Sequence, residues 1–438
     1  MSSDADTVIR PFSELVDELP QRETGEYLVD SIQPGHVVRP ESVDQLAEVI
    51  RGVRADRLAA VPWGGGTQMG VGNPPARYDV GIDLSAINDV LRYDADDMTM
   101  SVQAGCRLAD LNQMLGEHRQ VLPVDAALPE RATIGGLTAV GSSGPRRLGY
   151  GPLRDLIIGM SVMSTDGVVT KGGGQVVKNV TGFDMMRLHH GALGSLGIIV
   201  SMNLKIIPKP QSERTVIALF DSLDDADQAA REVLQSQLGV TALVVTNPEA
   251  TREATDSARS NWAISVRCEA PPSAVVRQAE RVQEYVASNA QDVTTEDSTD
   301  ASQERWNRIG KALEQRPAQE DVSIRLGSTA SKLRATAGSV AHTLAGAEDV
   351  RLTLDYGSGL LYARFPEKAV NESEFRVVFD QLSGAGDHIT VSTAPANLKQ
   401  SIQDVFGATP AGFSALESLK ETFDPDRVLS PGRTIGKL

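Results

Sequence analysis

The chain has 438 residues, of which 41% are hydrophobic and 23% are charged, a globular composition with room for two or three domains. The 58 acidic and 42 basic side chains give a formal net charge of −16, which disfavours nucleic acid and anionic lipid surfaces as partners. Two cysteines are too few for a disulfide framework or an iron–sulfur cluster. No apolar stretch approaches the roughly 20 residues of a membrane span, which excludes a membrane helix. Together with the polar start of the sequence, these observations favour a cytoplasmic location.

Regular patterns of strands and helices follow an N-terminal arm, in which one short helix is predicted near residues 12–19. Residues 37–56 then read as a strand, a turn and a helix, because Ser42 is a suitable N-cap and the apolar residues after it recur at helical spacing. The next apolar run, residues 58–63, predicts a strand that ends at three consecutive glycines.

The glycine loop, residues 61–72 with the sequence VPWGGGTQMGVG, is typical of backbone that approaches an anion closely. It is not a dinucleotide fingerprint, because Met69 occupies the position of the third glycine. A P-loop is also excluded, because Gly310–Lys311 is followed by Ala312, and Arg305 occupies the upstream position where the motif requires a glycine. The alternative to a phosphate loop is a flexible surface turn.

The pattern changes twice further along the chain. Residues 80–210 contain short strands, a helix at 108–118 and a glycine-dense stretch at 122–160, which together favour two small α+β units. From 211 to 405, strands alternate with amphipathic helices, and residues 415–438 read as a helix followed by an irregular tail.

Glycine-rich motifs recur after the first loop in a specific order. They are ATIGG (132–136), GSSG (141–144), LGYG (148–151), KNVTGFDMMRLHHGALGSLGIIV (178–200) and the terminal FDPDRVLSPGR (423–433). This set resembles the PCMH-type FAD-binding domain of the vanillyl-alcohol oxidase and p-cresol methylhydroxylase family. Within that family the sequence is most similar to the FAD-binding E subunit of bacterial glycolate oxidase.

The resemblance implies an α+β fold, with a PCMH-type FAD-binding domain of two subdomains and an antiparallel α+β cap over the flavin. The expected boundaries are residues 1–30 for an N-terminal arm, 31–211 for the FAD-binding domain, 212–405 for the cap or substrate domain, and 406–438 for a C-terminal segment that returns to the FAD-binding domain.

The resemblance also implies a cofactor, FAD, whose diphosphate would lie on the glycine loop. We expect the FAD to be non-covalent, because Thr67–Gln68 stands where many relatives carry a flavin-linked histidine, and no histidine lies between His36 and His118. Carried over by motif, the FAD-binding residues are Pro62, Trp63, Gly64, Gly65, Gly66, Thr67, Gln68, Gly70, Pro123, Asp125, Thr133, Ile134, Gly135, Gly136, Ser142, Ser143, Gly144, Gly151, Arg154, Asp155, Gly194, Gly197, Ile198, Ile199 and Arg433.

The function that this family likeness implies is the oxidation of a 2-hydroxy acid such as glycolate, with hydride passing from the substrate α-carbon to the flavin. Such a reaction needs a base for the hydroxyl and a cation for the carboxylate. The candidate catalytic residues are Arg325, Arg364 and Lys178, and no histidine stands out as the base. We expect no metal, because the GN-x-H metal motif of related D subunits and D-lactate dehydrogenases is absent.

Lack of both the metal motif and cluster cysteines favours an E-like subunit that passes electrons within a complex. Its partners would be a D-like flavoprotein and an iron–sulfur subunit, through which the chain could lie at the periphery of the inner membrane. Two alternatives stay open: a stand-alone dehydrogenase of the D-lactate type, and a non-catalytic FAD-binding assembly subunit. A cell-wall reductase with the same fold is disfavoured, because its serine acid and tyrosine-bearing segment are not evident.

Overall fold

The computed structural model describes residues 9–142, 144–174, 184–255, 261–313 and 321–438. Two of the predicted site residues, Ser143 and Lys178, lie outside these ranges. Over the described residues the protein combines helices with mainly antiparallel sheets, which confirms the predicted α+β class.

The N-terminal part builds two sheets and a short two-stranded ladder from its described residues. Its strands are β1 (His36–Val38), β2 (Ala60–Trp63), β3 (Val80–Asp83), β4 (Val90–Asp94), β5 (Thr99–Gln103), β6 (Gln120–Val121), β7 (Ile157–Met163), β8 (Val169–Gly173), β9 (Ile198–Lys205) and β10 (Ile207–Pro208). Its helices are α1 (Phe12–Leu15), α2 (Val43–Ala55), α3 (Leu108–Glu117), α4 (Ile134–Val140), α5 (Arg147–Tyr150), α6 (Leu153–Leu156) and α7 (Met185–His189). One sheet is parallel, in the order β1-β3-β2, and the other is antiparallel, in the order β4-β5-β9-β7-β8.

Helix α2 illustrates how the sequence fixes these elements. The Ser42 side chain accepts a hydrogen bond from the Gln45 N–H (3.1 Å), which confirms the predicted N-cap. Leu46, Val49 and Ile50 are completely buried on the face that packs on the parallel sheet. The helix therefore holds β2 in place, and β2 leads directly into the glycine loop.

The C-terminal part forms one large antiparallel sheet, which over the described residues has the order β14-β11-β13-β12-β16-β17-β15-β18. Its strands are β11 (Ser212–Phe220), β12 (Ala242–Thr246), β13 (Trp262–Ala270), β14 (Asp292–Glu296), β15 (Asp321–Gly327), β16 (Arg351–Asp355), β17 (Leu360–Pro366) and β18 (His388–Thr393). Its helices are α8 (Leu223–Gln235), α9 (Pro248–Thr255), α10 (Pro272–Val286), α11 (Thr299–Leu313), α12 (Leu333–Thr343), α13 (Glu372–Ser383) and α14 (Ala396–Ser401). We call this sheet with its helices the cap.

The two faces of the cap sheet have different coverings. One face packs on α8, α10, α12 and α13 through a core that includes Phe220, Val282 and Phe375. The other face carries α9 and α11 through a smaller core around Trp306 and Ile309, and part of it faces the N-terminal part of the chain. The second face is thus the one that can contribute to a site between the two parts.

Buried ion pairs join the cap to the N-terminal part. Arg146, just before α5, contacts Glu269 of β13 at 2.7 Å. Behind this pair, Arg267 contacts Glu213 at 2.8 Å, and Ser302 of α11 donates to the other Glu213 oxygen. Burial opposes ionisation of Glu269, but Arg146 and Arg267 outweigh it and lower the pKa of this carboxyl. Because each charge is paired away from water, removal of one partner would leave a costly unpaired charge at the junction.

The chain then returns to its N-terminal part through α15 (Phe413–Phe423) and an irregular tail. Ala60 of β2 donates to the Val428 carbonyl (2.7 Å) and accepts from the Ser430 N–H (2.8 Å). The tail therefore extends the parallel sheet beside the strand that leads into the glycine loop. Within the described residues, no helix is both long enough and apolar enough to cross a membrane.

We expect His189 to make the fold sensitive to acid. The residue is 5% exposed, its ring packs edge-on against Phe423, and burial lowers its pKa to about 4. In the unfolded chain His189 would bind a proton near pH 6.5, whereas in the folded chain it does so only near pH 4. The free energy of unfolding therefore decreases as the pH falls from about 6.5 to 4, by up to about 3 kcal/mol.

Urea unfolding of the wild type and His189→Leu at several pH values between 7 and 4.5 measures this contribution. The variant should show a flatter dependence of the unfolding free energy on pH. His342→Leu, which changes an exposed histidine of α12, is the control and should keep the wild-type slope. Equal slopes for His189→Leu and the wild type would contradict the assignment.

Candidate functional site

A cavity of about 1080 Å³ lies where the N-terminal part meets the cap. Its described walls come from residues 25–31 at the end of the N-terminal arm, the glycine loop at 63–71, the stretch 125–145 around α4, and the cap. The cap contributes residues of α11, β15 and β17, together with 392–400, which lead from β18 into α14. Ligand sites are commonly of this size and commonly lie between domains.

The consecutive glycines of the loop lie against a second backbone segment. A Cβ on Gly64 would overlap the Thr133 hydroxyl, and a Cβ on Gly65 would overlap the Arg131 carbonyl oxygen. Gly66 has a φ of +68°, a conformation that residues with a side chain rarely adopt. Glycine is therefore required here by packing and by backbone conformation, before any ligand is considered.

The same packing leaves backbone donors free. The N–H groups of residues 64–66 donate no hydrogen bond to any atom that the structure describes. Arg131 Nη2 donates to the Gly65 carbonyl (3.1 Å), and the Val71 N–H closes the loop onto the Gln68 carbonyl (3.1 Å). Because partly buried N–H groups normally find partners, adjacent free ones favour an anion such as the diphosphate of FAD. The residues present therefore fit that group.

Arg433 acts on this loop from behind. Its guanidinium is buried and donates through Nη2 to the carbonyl oxygens of Met69 (2.7 Å) and Val71 (2.6 Å). It does not line the cavity. Its contacts indicate that it shapes the loop.

The second glycine-rich segment forms the start of α4. Thr133 is the N-cap and accepts a hydrogen bond from the Gly136 N–H at 3.2 Å. Ile134 is completely buried, and a Cβ on Gly135 would lie 2.7 Å from that of Ala104. These residues position the helix and its neighbouring loops without lining the cavity.

Polar side chains bridge the two loops on the cavity side. Gln68 Nε2 donates to Ser142 Oγ at 3.1 Å. Asp125 accepts the Arg146 N–H at 2.8 Å, and its side chain covers Gly144 so closely that a Cβ there would collide with it. Arg146 thus fixes the cavity wall around Asp125 and also pairs with Glu269 of the cap.

The GALGSLG segment (191–197) packs beside the first loop. A Cβ on Gly194 would lie 3.2 Å from Pro62, and a Cβ on Gly197 would press on Val162. Ile198 then begins the buried strand β9. The structure brings these predicted FAD-binding residues next to the glycine loop but outside the lining of this cavity.

The predicted cofactor residues divide into two described groups. Those that line the cavity are Trp63, Gly66, Thr67, Gln68, Gly70, Asp125, Ser142 and Gly144. Those that do not line it are Pro62, Gly64, Gly65, Pro123, Thr133, Ile134, Gly135, Gly136, Gly151, Arg154, Asp155, Gly194, Gly197, Ile198, Ile199 and Arg433. Their roles toward the cofactor stay predictions.

Arg325 of β15 lines the cavity from the cap side. It stands opposite Tyr362 on β17 and Thr390 on β18. Its half-buried guanidinium makes no hydrogen bond or ion pair with any residue that the structure describes. A cation without a protein partner in a cavity wall is suited to an anionic ligand, and arginine holds a carboxylate through two parallel hydrogen bonds.

The structure separates Arg364 from Arg325, although both were predicted to contact substrate. Arg364 lies on β17 opposite Ser323 and does not line the cavity. Its Nη2 donates to Glu253 of α9, and its Nε lies 3.7 Å from Asp321. Its charge is therefore compensated by protein carboxylates.

Several wall residues were missed by the sequence analysis. The largest missed group comes from the N-terminal arm and the start of α14, and it consists of Gly25, Glu26, Leu28, Asp30, Ser31, Pro395, Ala396, Asn397 and Gln400. None of these residues belongs to a motif, so only the fold could bring them to the glycine loop. Arg131 also lines the cavity, and its place directly before the ATIGG motif was an available signal.

No histidine or cysteine is among the described lining residues. Cys106 is buried, its Sγ donates to the Asn88 carbonyl (3.0 Å), and burial raises its pKa to about 11. Within the described ranges, no group of three or more histidine, cysteine or acidic side chains could hold a metal ion.

Two family models match the chain and together span more than half of it. A model described as an FAD binding domain matches residues 34–173, and one described as the C-terminal domain of FAD linked oxidases matches residues 209–333. These matches confirm the predicted family and its cofactor, FAD.

Relatives of similar length carry related names. A glycolate oxidase subunit GlcD of Bacillus subtilis is 25% identical over 92% of this chain and 89% of its own length. A D-lactate dehydrogenase of Anaerostipes hadrus is 24% identical over 93% of this chain and 90% of its own length. Similarity specifically to an E subunit stays a prediction.

The fold is shared with a solved structure. Crystalline p-cresol methylhydroxylase with substrate bound matches with a TM-score of 0.73 over 98% of this chain and 96% of its own. At 15% identity, this likeness shows the fold alone.

We predict that Gly65→Ala releases FAD from the purified protein. The added Cβ would overlap the Arg131 carbonyl oxygen and force the two loops apart. Gly116→Ala in α3 is the matched control, because a Cβ there meets nothing within 4 Å. Flavin absorbance per protein after gel filtration measures retention, and equal retention by the two variants would refute the packing argument.

Proposed function

The chain belongs to the FAD-linked oxidases, and we propose that it takes part in oxidising a 2-hydroxy acid such as glycolate, with electrons passed through FAD to a partner subunit. The single observation that carries the proposal is the guanidinium of Arg325, which lines the same cavity as the glycine loop and has no partner among the described residues. The family match supplies the reaction class, and Arg325 supplies a reason for an acid substrate.

In the proposed arrangement, FAD would be held by the glycine-loop N–H groups that have no partner in the described part of the chain, and by the wall that includes Asp125 and Ser142. When bound, FAD supplies the two-electron acceptor that such an oxidation needs. We propose that it is held without a covalent bond, because the described lining contains no histidine or cysteine to link it.

Arg325 would bind the substrate carboxylate and orient the substrate between the cap and the cofactor. Its position on β15, which is paired on both sides, with β17 and with β18, gives it a rigid base. Arginine is suited to this task because its planar fork matches both carboxylate oxygens. The cap would therefore determine which class of substrate binds, while the N-terminal part would bind the cofactor.

We propose further that the chain works as an E-like subunit with a D-like flavoprotein and an iron–sulfur subunit, in the cytoplasm or at the inner membrane through these partners. The similarity to a glycolate oxidase subunit supports a complex. The alternative is a stand-alone dehydrogenase of the D-lactate type, which the full-length similarity to a D-lactate dehydrogenase supports. A non-catalytic FAD-binding assembly subunit is the third possibility.

The first test is the visible spectrum of the chain expressed alone, followed by anaerobic mixing with glycolate and with D-lactate. Bleaching of the flavin bands would favour the stand-alone dehydrogenase. Persistent bands that bleach only after addition of a co-purified partner would favour the E-like subunit. A colourless protein that FAD cannot reconstitute would refute the proposal.

We predict that Arg325→Met raises the KM for the hydroxy acid by about tenfold to a hundredfold, the value of one or two charge-assisted hydrogen bonds. FAD content should not change, because Arg325 is expected to contact substrate and not cofactor. Arg376→Met, which removes an exposed charge from α13, is the control and should keep the wild-type KM. Arg364→Met should act mainly on thermal stability, since it removes the nearer of the two arginines that pair with Glu253 and leaves only Arg351, at 3.7 Å.

A further inference from the structure

The carbonyl oxygens of four successive loop residues, 69–72, all face buried cations. Arg433 binds the carbonyls of Met69 and Val71, as described above. Lys399 of α14 binds the other two, donating from Nζ to the Gly70 carbonyl and to the Gly72 carbonyl at 3.2 Å. The negative ends of these peptide groups are therefore turned into the protein interior.

Lys399 also contacts the N-terminal arm. Its Nζ lies 2.7 Å from Asp30 Oδ1, and its side chain is 0% exposed, while that of Asp30 is 4% exposed. An ammonium group has three N–H donors, and Asp30, Gly70 and Gly72 use all three. Burial lowers the pKa of Lys399, and the Asp30 carboxylate opposes this shift by favouring the ammonium form.

The three segments that meet at this ammonium are all cavity walls. Asp30 and Gly70 line the cavity themselves. Lys399 lies between the lining residues Asn397 and Gln400, on the segment that follows β18. Because β18 pairs with the strand of Arg325, the junction connects the cofactor side of the cavity to the substrate side.

We infer that Lys399 is a positioning residue for the cofactor, which fixes the glycine loop, the N-terminal arm and the start of α14 as one wall. The inference rests on the proposed function, because it assumes that the glycine loop carries FAD. Without the ammonium, the carbonyls of Gly70 and Gly72 would lose their donors and could turn toward the cavity, where they would repel a diphosphate.

The test is FAD affinity in Lys399→Met, whose side chain is of similar length and uncharged. Apoprotein is prepared by removing flavin, and the dissociation constant is measured by titration with FAD. We expect affinity to fall by about tenfold or more, because one ammonium serves three partners. The KM for the hydroxy acid should rise as well, since α14 lies on the substrate side.

Arg305→Met is the matched control, because it also removes a largely buried cation from a carboxylate, that of Glu296 at 2.6 Å. That pair joins α11 to the edge strand β14, and neither residue lines the cavity. The control should lose thermal stability and keep wild-type FAD affinity. An equal loss of affinity in both variants would mean that Lys399 acts only through general stability, and would overturn the inference.

Asp30→Asn provides a second variant if Lys399→Met fails to fold. It keeps the Lys399 contacts to the loop and weakens the contact to the arm, so FAD affinity should fall by less than in Lys399→Met. Unchanged affinity in a folded Asp30→Asn protein would refute the link between arm and loop. If the wild-type protein itself does not bind FAD, the proposed function fails, and this inference fails with it.

Discussion

Gly64 and Gly65 lie so close to Thr133 and Arg131 that neither position has room for a Cβ, and the site depends on this contact. The contact sets the direction of the glycine loop as it leaves β2 and leaves its N–H groups without partners among the described residues. From the other side, Lys399 and Arg433 bind the loop carbonyls. A flexible glycine sequence is thus converted into a rigid surface, because packing fixes its first part, residues 64–65, and buried cations bind the carbonyls of its last part, residues 69–72.

The local structure and the family could be predicted from sequence, because their signals are local. Ser42 caps α2 as its position indicates, and the glycine motifs identify the FAD domain. The sequence could not show which of Arg325 and Arg364 is the better candidate for binding substrate, because side chains alternate along a strand and both of these lie on the same face of the cap sheet. What separates them is Glu253, which comes from a helix packed on that face and neutralises Arg364. Lys399 carried no signal at all, since its partners lie more than 300 residues away in the sequence.

Charge is distributed in this protein according to the task of each region. The junction between cap and N-terminal part contains arginine and glutamate in compensated pairs, such as Arg146 with Glu269. Such pairs fix the geometry of an interface more than they add to its stability. The cavity wall instead holds Arg325 without a described partner. The cap therefore contacts the N-terminal part through paired charges, whereas the arginine that it presents to the ligand has no partner among the described residues.

The return of the C-terminal tail has a consequence for the order of events during synthesis. The strand and loop that face the cofactor leave the ribosome early, whereas Lys399, the β2-pairing residues around Val428, and Arg433 leave it much later. Although domains usually fold in the order in which they are made, this loop cannot reach its final shape until residues 399–433 have been made. Cofactor loading therefore follows the synthesis of these residues, and a product truncated before α14 would be unable to retain the flavin.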